Sequence, residues 1–267
     1  MLKDITMGQY YPVNSPIHRL DPRTKVILTI AFIVAVFMVH GFAGYLLLLG
    51  FIYMVARLAR IPFKMLLKGI RPLRIILIFT FLLNLLFSTG EDVLVHFWII
   101  QITREGLERA VFYSLRLIFL VMGTSLLTLT TSPVALSDAM ELLLSPLKVI
   151  HFPAHELAMM MTIALRFIPT LLDETDKIMK AQMARGADFE SGNLISRAKS
   201  MVPLLVPLFV SAFRRAGDLA MAMESRCYHG GEGRTRFRVL KITRYDWLAC
   251  GVVAALIGLI VLEGLFL

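Results

Sequence analysis

Residues 26–56, VILTIAFIVAVFMVHGFAGYLLLLGFIYMVA, contain no Asp, Glu, Lys or Arg. As α-helix this run would be about 46 Å long, more than one untilted crossing of a hydrocarbon core about 30 Å thick requires. His40-Gly41 and Gly44 interrupt it. Both flanks are basic, with Arg19, Arg23 and Lys25 before it and Arg57, Arg60, Lys64, Lys68, Arg71 and Arg74 after it. Two basic flanks place both ends on the cytoplasmic side, so the run is expected to be a helical hairpin over residues 24–39 and 42–58. A single tilted helix is the alternative.

The whole chain has the same character. Of its 267 residues 57% are hydrophobic and only 18% charged, and the mean hydropathy of +0.73 lies outside the range of ordinary soluble domains. The net charge of +9 is the excess that cytoplasmic loops of a membrane protein carry, and no nucleic-acid partner is expected. Cys227 stands in a charged segment and Cys250 in an apolar one, which argues against a disulfide framework and fits a reducing cytoplasmic face. Met1 to Pro22 is polar and lacks the apolar core of a signal peptide, so it is expected to be retained.

Further spans are expected at Ile75 to Ser88, Val111 to Thr131 and Trp247 to Leu267. After the third apolar run come Glu91 and Asp92, then an aromatic segment around Phe97 and Trp98 suited to the outer membrane interface. Arg116 falls in the outer half of the fourth span, where it is expected to snorkel outward or pair with a carboxylate. Of 28 Lys and Arg, 25 lie before residue 26, in 57–74 or in 132–246; only Arg104, Arg109 and Arg116 lie elsewhere. The economical topology has five spans, the N-terminus inside and the C-terminus outside. The fold class read from this is an all-α integral membrane protein with a cytoplasmic or interfacial domain of three helices. Its parts are 1–131 (N-terminal segment and four spans), 132–246 (cytoplasmic helices) and 247–267 (last span).

Within 132–246 the texture changes. Val134 to Ile150 carries Asp138, Glu141 and Lys148 on an apolar helix. From Pro153 to about Gly186 an apolar stripe including Leu157, Met160, Met161, Leu165, Ile168, Leu172 and Met179 runs beside Arg166, Asp173, Asp176, Lys177 and Lys180. That pattern reads as an amphipathic helix rather than a span. Asp188, Glu190, Ser191 and Gly192 break it. A third helix, from near Leu194 to near Cys227, holds Pro203 and Pro207, which are expected to kink or interrupt it, and its Met201 to Phe213 stretch suits the membrane interface. His229 to Arg244 reads as a basic juxtamembrane loop.

Near the ends of the second and third of these helices stand two hexads, Ala181-Gln182-Met183-Ala184-Arg185-Gly186 and Ala222-Met223-Glu224-Ser225-Arg226-Cys227. Each sets one arginine between small residues. Small neighbours let another backbone come close while the guanidinium supplies five donors in a planar fork, the design of a group that plugs into a partner's pocket. Eight of the 15 methionines fall between residues 153 and 228; flexible Met side chains suit either a packed helix face or a face that accepts partners of differing shape. No Walker-type glycine loop, metalloprotease helix, metal-spaced cysteine pair or nucleophile elbow occurs, so no catalytic residue, cofactor or metal is expected. His151 and His155 are four apart, but Pro153 between them makes joint metal ligation a poor reading.

The segments Gly8-Gln9-Tyr10-Tyr11-Pro12 and Ser15-Pro16-Ile17-His18-Arg19-Leu20-Asp21-Pro22-Arg23-Thr24-Lys25, with Ala184-Arg185-Gly186 and Glu224-Ser225-Arg226-Cys227-Tyr228, resemble the transmembrane T component (EcfT) of energy-coupling factor (ECF) vitamin transporters. The resemblance covers nearly the whole chain. It implies a non-catalytic subunit whose two coupling helices dock on two ABC-type ATPase subunits through Ala184, Arg185 and Gly186 and through Ser225, Arg226 and Cys227. It also implies that an apolar face, here Met160, Met161, Leu165, Ile168, Leu172 and Met179, holds an exchangeable substrate-binding S component in the cell membrane, among lipid. The family's usual pair is two Ala-Arg-Gly-like triads. Ser225-Arg226-Cys227 departs from that wording while keeping small neighbours, which suggests two non-identical ATPases. A self-contained channel or secondary transporter is the alternative from another class, but it would need polar or broken helices at the midplane and usually an internal repeat.

Overall fold

The computed structural model describes residues 10–87, 93–97, 100–150, 152–189, 193–230 and 240–266. They form helices α1 (Pro22–Met38), α2 (Phe42–Leu58), α3 (Phe63–Ile70), α4 (Arg74–Phe87), α5 (Arg104–Thr130), α6 (Pro133–Leu144), α7 (Ala154–Ala184), α8 (Leu194–Glu224) and α9 (Arg244–Phe266), with 3₁₀ turns at Arg71–Leu73 and Ser145–Ile150. The helical class holds, with one addition. Val93–Phe97 (β1) and Ile100–Thr103 (β2) pair antiparallel, Phe97 opposite Ile100, with an irregularity between Val93 and Val95. Glu91, Asp92 and Trp98 lie outside the described residues, as do His151, Glu190, Ser191, Gly192 and most of the expected basic loop, 231–239.

The chain divides into two compact units, one of Gly8–Ala139 with Val239–Leu267, the other built on Met140–Arg238. In the first, α1 and α2 lie against α5 and α9. Phe32, Val36, Leu48, Ile52, Phe119, Met122, Leu126, Leu256 and Ile260 make the core, with Phe32 stacked on Phe51 at 5.7 Å. The expected hairpin is present, its helices 17 residues each, or about 25 Å. Among the described residues four helices are, by length and composition, long and apolar enough to cross a membrane: Phe63–Phe87 as one, α5, α7 and α9. The third of these, α7, is the helix whose sequence pattern reads as amphipathic. Before Asp173 it carries only Glu156 and Arg166, so its charge gathers in the C-terminal third, and at 1.2 its mean hydropathy is the lowest of the four.

In the first unit the buried charges sit on helix ends, where backbone groups lack intrahelical partners. Lys25, 7% exposed, donates to the carbonyls of Thr130 at the end of α5 (2.9 Å) and His18 (3.2 Å). Asp246, 1% exposed, accepts from the Asp21 amide (2.8 Å) at the start of α1 and from the Thr243 amide (2.6 Å) and hydroxyl (2.8 Å), closing the start of α9 as a capping box does. Asp21 caps α1 through the Arg23 amide and pairs with the Arg23 guanidinium at 2.9 Å. Glu263 accepts from the Gly44 amide at 2.7 Å in the first turn of α2, so close that a Cβ at position 44 would collide with its carboxylate.

Arg116 meets no carboxylate among the described residues. It donates to the Val39 carbonyl that ends α1 (3.2 Å) and lies over the rings of Phe37, Phe112 and Tyr113 at 5.1–5.6 Å. Helix-end carbonyls and ring faces are both electronegative, so the cation is stabilised without a counter-ion. Helix α5, which contains the fourth expected span, begins at Arg104. Thr103 accepts from the Gly106 amide (3.1 Å), and the exposed pairs Arg104–Glu108 and Arg109–Glu105 lie one turn apart.

In the second unit α7 and α8 are each 31 residues long. Pro203 and Pro207 do not interrupt α8, nor does Pro169 interrupt α7. Prolines four apart share one helix face, so the amide bonds they remove fall on one side and the other side keeps its ladder.

Candidate coupling site

Both hexads close their helices in one way. At the end of α7 the Gly186 amide donates to Met183 (2.9 Å) and the Ala187 amide to Gln182 (3.0 Å); at the end of α8 the Cys227 amide donates to Glu224 (2.9 Å) and the Tyr228 amide to Met223 (3.1 Å). These are the paired bonds of a Schellman turn, whose pivot residue takes a left-handed conformation. The pivots are Gly186 at φ +91° and Cys227 at φ +53°. Arg185 and Arg226 therefore hold the same position, the residue before the pivot. Ala184, Arg185, Gly186, Ser225, Arg226 and Cys227 are all exposed, and neither guanidinium bonds or pairs with a described residue. Cys227 and Cys250 are free thiols.

Between these helices runs an apolar seam formed by Ile163, Phe167 and Leu171 of α7 and Ala212, Ala216, Leu219, Ala220 and Met223 of α8. Arg215 reaches Glu174 at 2.8 Å beside it. None of the six residues expected to meet a partner lines this seam. Met160, Met161 and Ile168 are exposed, whereas Leu165, Leu172 and Met179 are half-buried. A larger open apolar surface lies on α8, where Val202, Val206, Phe209 and Phe213 follow four-three-four spacing and are 52–75% exposed. The sequence reading assigned that stretch to the membrane interface, although its spacing marks it equally as a contact face.

His155, considered as a metal ligand, is engaged differently. Its Nδ1 lies 2.9 Å from Glu141 Oε1 and its Nε2 3.3 Å from Tyr228 Oη. No group of three His, Cys, Asp or Glu suited to a metal occurs among the described residues.

Residues 13–237 match the family profile CbiQ, described as cobalt transport protein. The chain is 59% identical to the energy-coupling factor transporter transmembrane protein EcfT of Thermosediminibacter oceani over 95% of this chain and 96% of that one. It is 53% identical to the protein of the same name from Clostridium kluyveri, over 97% of both. Against the one from Bacillus subtilis it is 49% identical, over 99% of this chain and 98% of that one. With apolar helices long enough to span a membrane and matches of this extent, the chain belongs to the CbiQ family and, within it, to the transmembrane components of energy-coupling factor transporters.

Proposed function

We propose that this chain couples two ABC-type ATPase subunits to a substrate-binding S component, and that Arg185 and Arg226 are the two plugs by which the ATPases grip it. The observation that carries the reading is the pair of exposed arginines, unpartnered among the described residues, held at one position of two helix-ending turns with the same hydrogen-bond pattern. An arginine just outside a helix C-terminus projects from a rigid base, and a carboxylate or a helix-end carbonyl in a partner's groove would accept charge-assisted hydrogen bonds from it. The ATPases, non-identical as the unlike triads suggest, bind and hydrolyse ATP; this chain contributes no catalytic group.

In this arrangement the N-terminus and the helices α6–α8 face the cytoplasm and the C-terminus lies outside, as the distribution of Lys and Arg favours. The S component sits on the open apolar surface of the coupling helices. Met160, Met161 and Ile168 contribute to it, and the α8 face at Val202, Val206, Phe209 and Phe213 joins them. The substrate, a vitamin or other micronutrient, is recognised by the S component.

Charge reversal tests the reading. In proteoliposomes holding the whole complex, Arg185→Glu or Arg226→Glu should each lower substrate uptake by about tenfold or more, the scale of a lost and reversed charge-assisted contact. The double variant should abolish uptake or release the ATPases on purification. Double-variant complexes that keep both ATPases and full uptake would overturn the assignment.

A further inference from the structure

The end of α8 carries an anchor. Tyr228 is the residue after the left-handed pivot, two positions from Arg226, and its hydroxyl lies 3.3 Å from His155 Nε2 at the start of α7. His155 Nδ1 in turn lies 2.9 Å from Glu141 of α6. The side chains of His155 and Glu141 are 17% and 18% exposed, and that of Tyr228 is half-buried. A carboxylate only accepts, so Nδ1 carries the proton toward Glu141 in the neutral ring, which leaves Nε2 to accept from the tyrosine hydroxyl. The three groups thus form one directed chain, Tyr228 to His155 to Glu141, and orientation of the imidazole by the carboxylate is what gives the tyrosine a fixed acceptor.

We propose that Glu141, His155 and Tyr228 form a latch that positions Arg226 for docking. The inference rests on the coupling role argued above. Three consecutive constraints lie between the latch and the guanidinium: the Tyr228 hydroxyl bond, the Tyr228 amide bond to Met223 at 3.1 Å and the Cys227 amide bond to Glu224 at 2.9 Å. With both ends of this turn tied, the Arg226 backbone keeps one direction before any partner arrives, so less ordering remains to be done on binding. Arg226 is accordingly a preset plug. His155 and Tyr228 are positioning residues, acting through Arg226.

The test is a titration of the purified membrane complex with its ATPases, reading the ATPase concentration for half-maximal retention and the maximal ATP turnover separately. Tyr228→Phe keeps the ring and removes the donor. It should raise the half-maximal concentration about fivefold, the scale of one hydrogen bond, with maximal turnover unchanged. His155→Ala should do the same, and His155→Gln, whose amide can donate to Glu141 and accept from Tyr228, should recover part of the loss. In an Arg226→Ala background Tyr228→Phe should add nothing, while in an Arg185→Ala background it should keep its full effect. A Tyr228→Phe effect that persists undiminished beside Arg226→Ala, or no effect in the wild-type chain while Arg226→Glu does weaken retention, overturns the latch alone. If Arg226→Glu itself leaves retention untouched, the coupling role falls first and the latch with it.

Discussion

The ends of α7 and α8 are two solutions to one problem, holding an arginine rigidly just beyond a helix. They share the turn and the place of the arginine within it, but they reach the left-handed pivot by different means. At the end of α7 the pivot is Gly186, which adopts positive φ without steric cost. At the end of α8 it is Cys227, a residue with a Cβ, at φ +53°. A side chain there costs roughly 1–2 kcal/mol. That end also carries the Tyr228 bond to His155, an outside tether on the strained turn. At Gly186 the residue type suits the turn; at Cys227 it does not, and the surroundings help to hold it.

The largest effect that follows is at position 186. Gly186→Val puts a β-branched side chain at φ +91°, where there is open space around the new Cβ but the backbone itself is unfavourable. The turn should lose about 2 kcal/mol or somewhat more. Retention of the ATPase bound there should weaken by at least tenfold, measured by co-purification across an ATPase concentration series. Wild-type retention by Gly186→Val would mean that the Arg185 plug works without the turn.

Cys227→Gly probes the other side of the same difference and should be nearly silent. Relief of the left-handed strain, about 1 kcal/mol or more, is largely offset by the greater chain entropy glycine loses on folding. The thermal unfolding midpoint should stay level or rise by a few degrees, with uptake retained. A loss of uptake as large as that of Gly186→Val would show that the thiol contributes something beyond the turn.

How much of this was legible depended on whether its cause was local. The hairpin α1–α2 follows from a charge-free run broken at His40-Gly41, a property of neighbouring residues. The arginine hexads are visible because small residues beside a cation are a local pattern too; the turn around them is not read from that pattern, although glycine at 186 is the residue type that suits a left-handed pivot. Cys227 gave no such sign, since nothing in its residue type favours positive φ. The acceptor of Arg116 is not legible, because the Val39 carbonyl lies 77 positions away and a helix-end carbonyl leaves no mark in the sequence. The His155–Tyr228 bond spans 73 positions and was equally hidden. The stripe of six residues on α7 is legible as a stripe, but which of them stay open depends on contacts that their spacing does not show.

A further contrast sets the helix ends beside the N-terminal segment of the other unit. His18 Nε2 donates to the Tyr11 carbonyl at 2.9 Å, which leaves Nδ1 to accept from the Ser15 hydroxyl at 2.7 Å. The ring is thereby held neutral. Burial pushes its pKa below the ordinary histidine value, the Tyr11 bond opposes this, and the nearby Lys25 charge adds to the lowering. A histidine lowered in the folded state contributes stability that is complete above its unfolded pKa, near 6.5, and that is lost as pH falls through the folded value. The unfolding midpoint of the wild-type protein in detergent should therefore drop between pH 7.5 and pH 5.5 by more than that of His18→Gln, whose amide keeps a donor for Tyr11 but does not titrate. Equal drops in the two proteins would show that His18 binds its proton as readily folded as unfolded, and that the segment from Tyr11 to Lys25 is not held by a neutral ring.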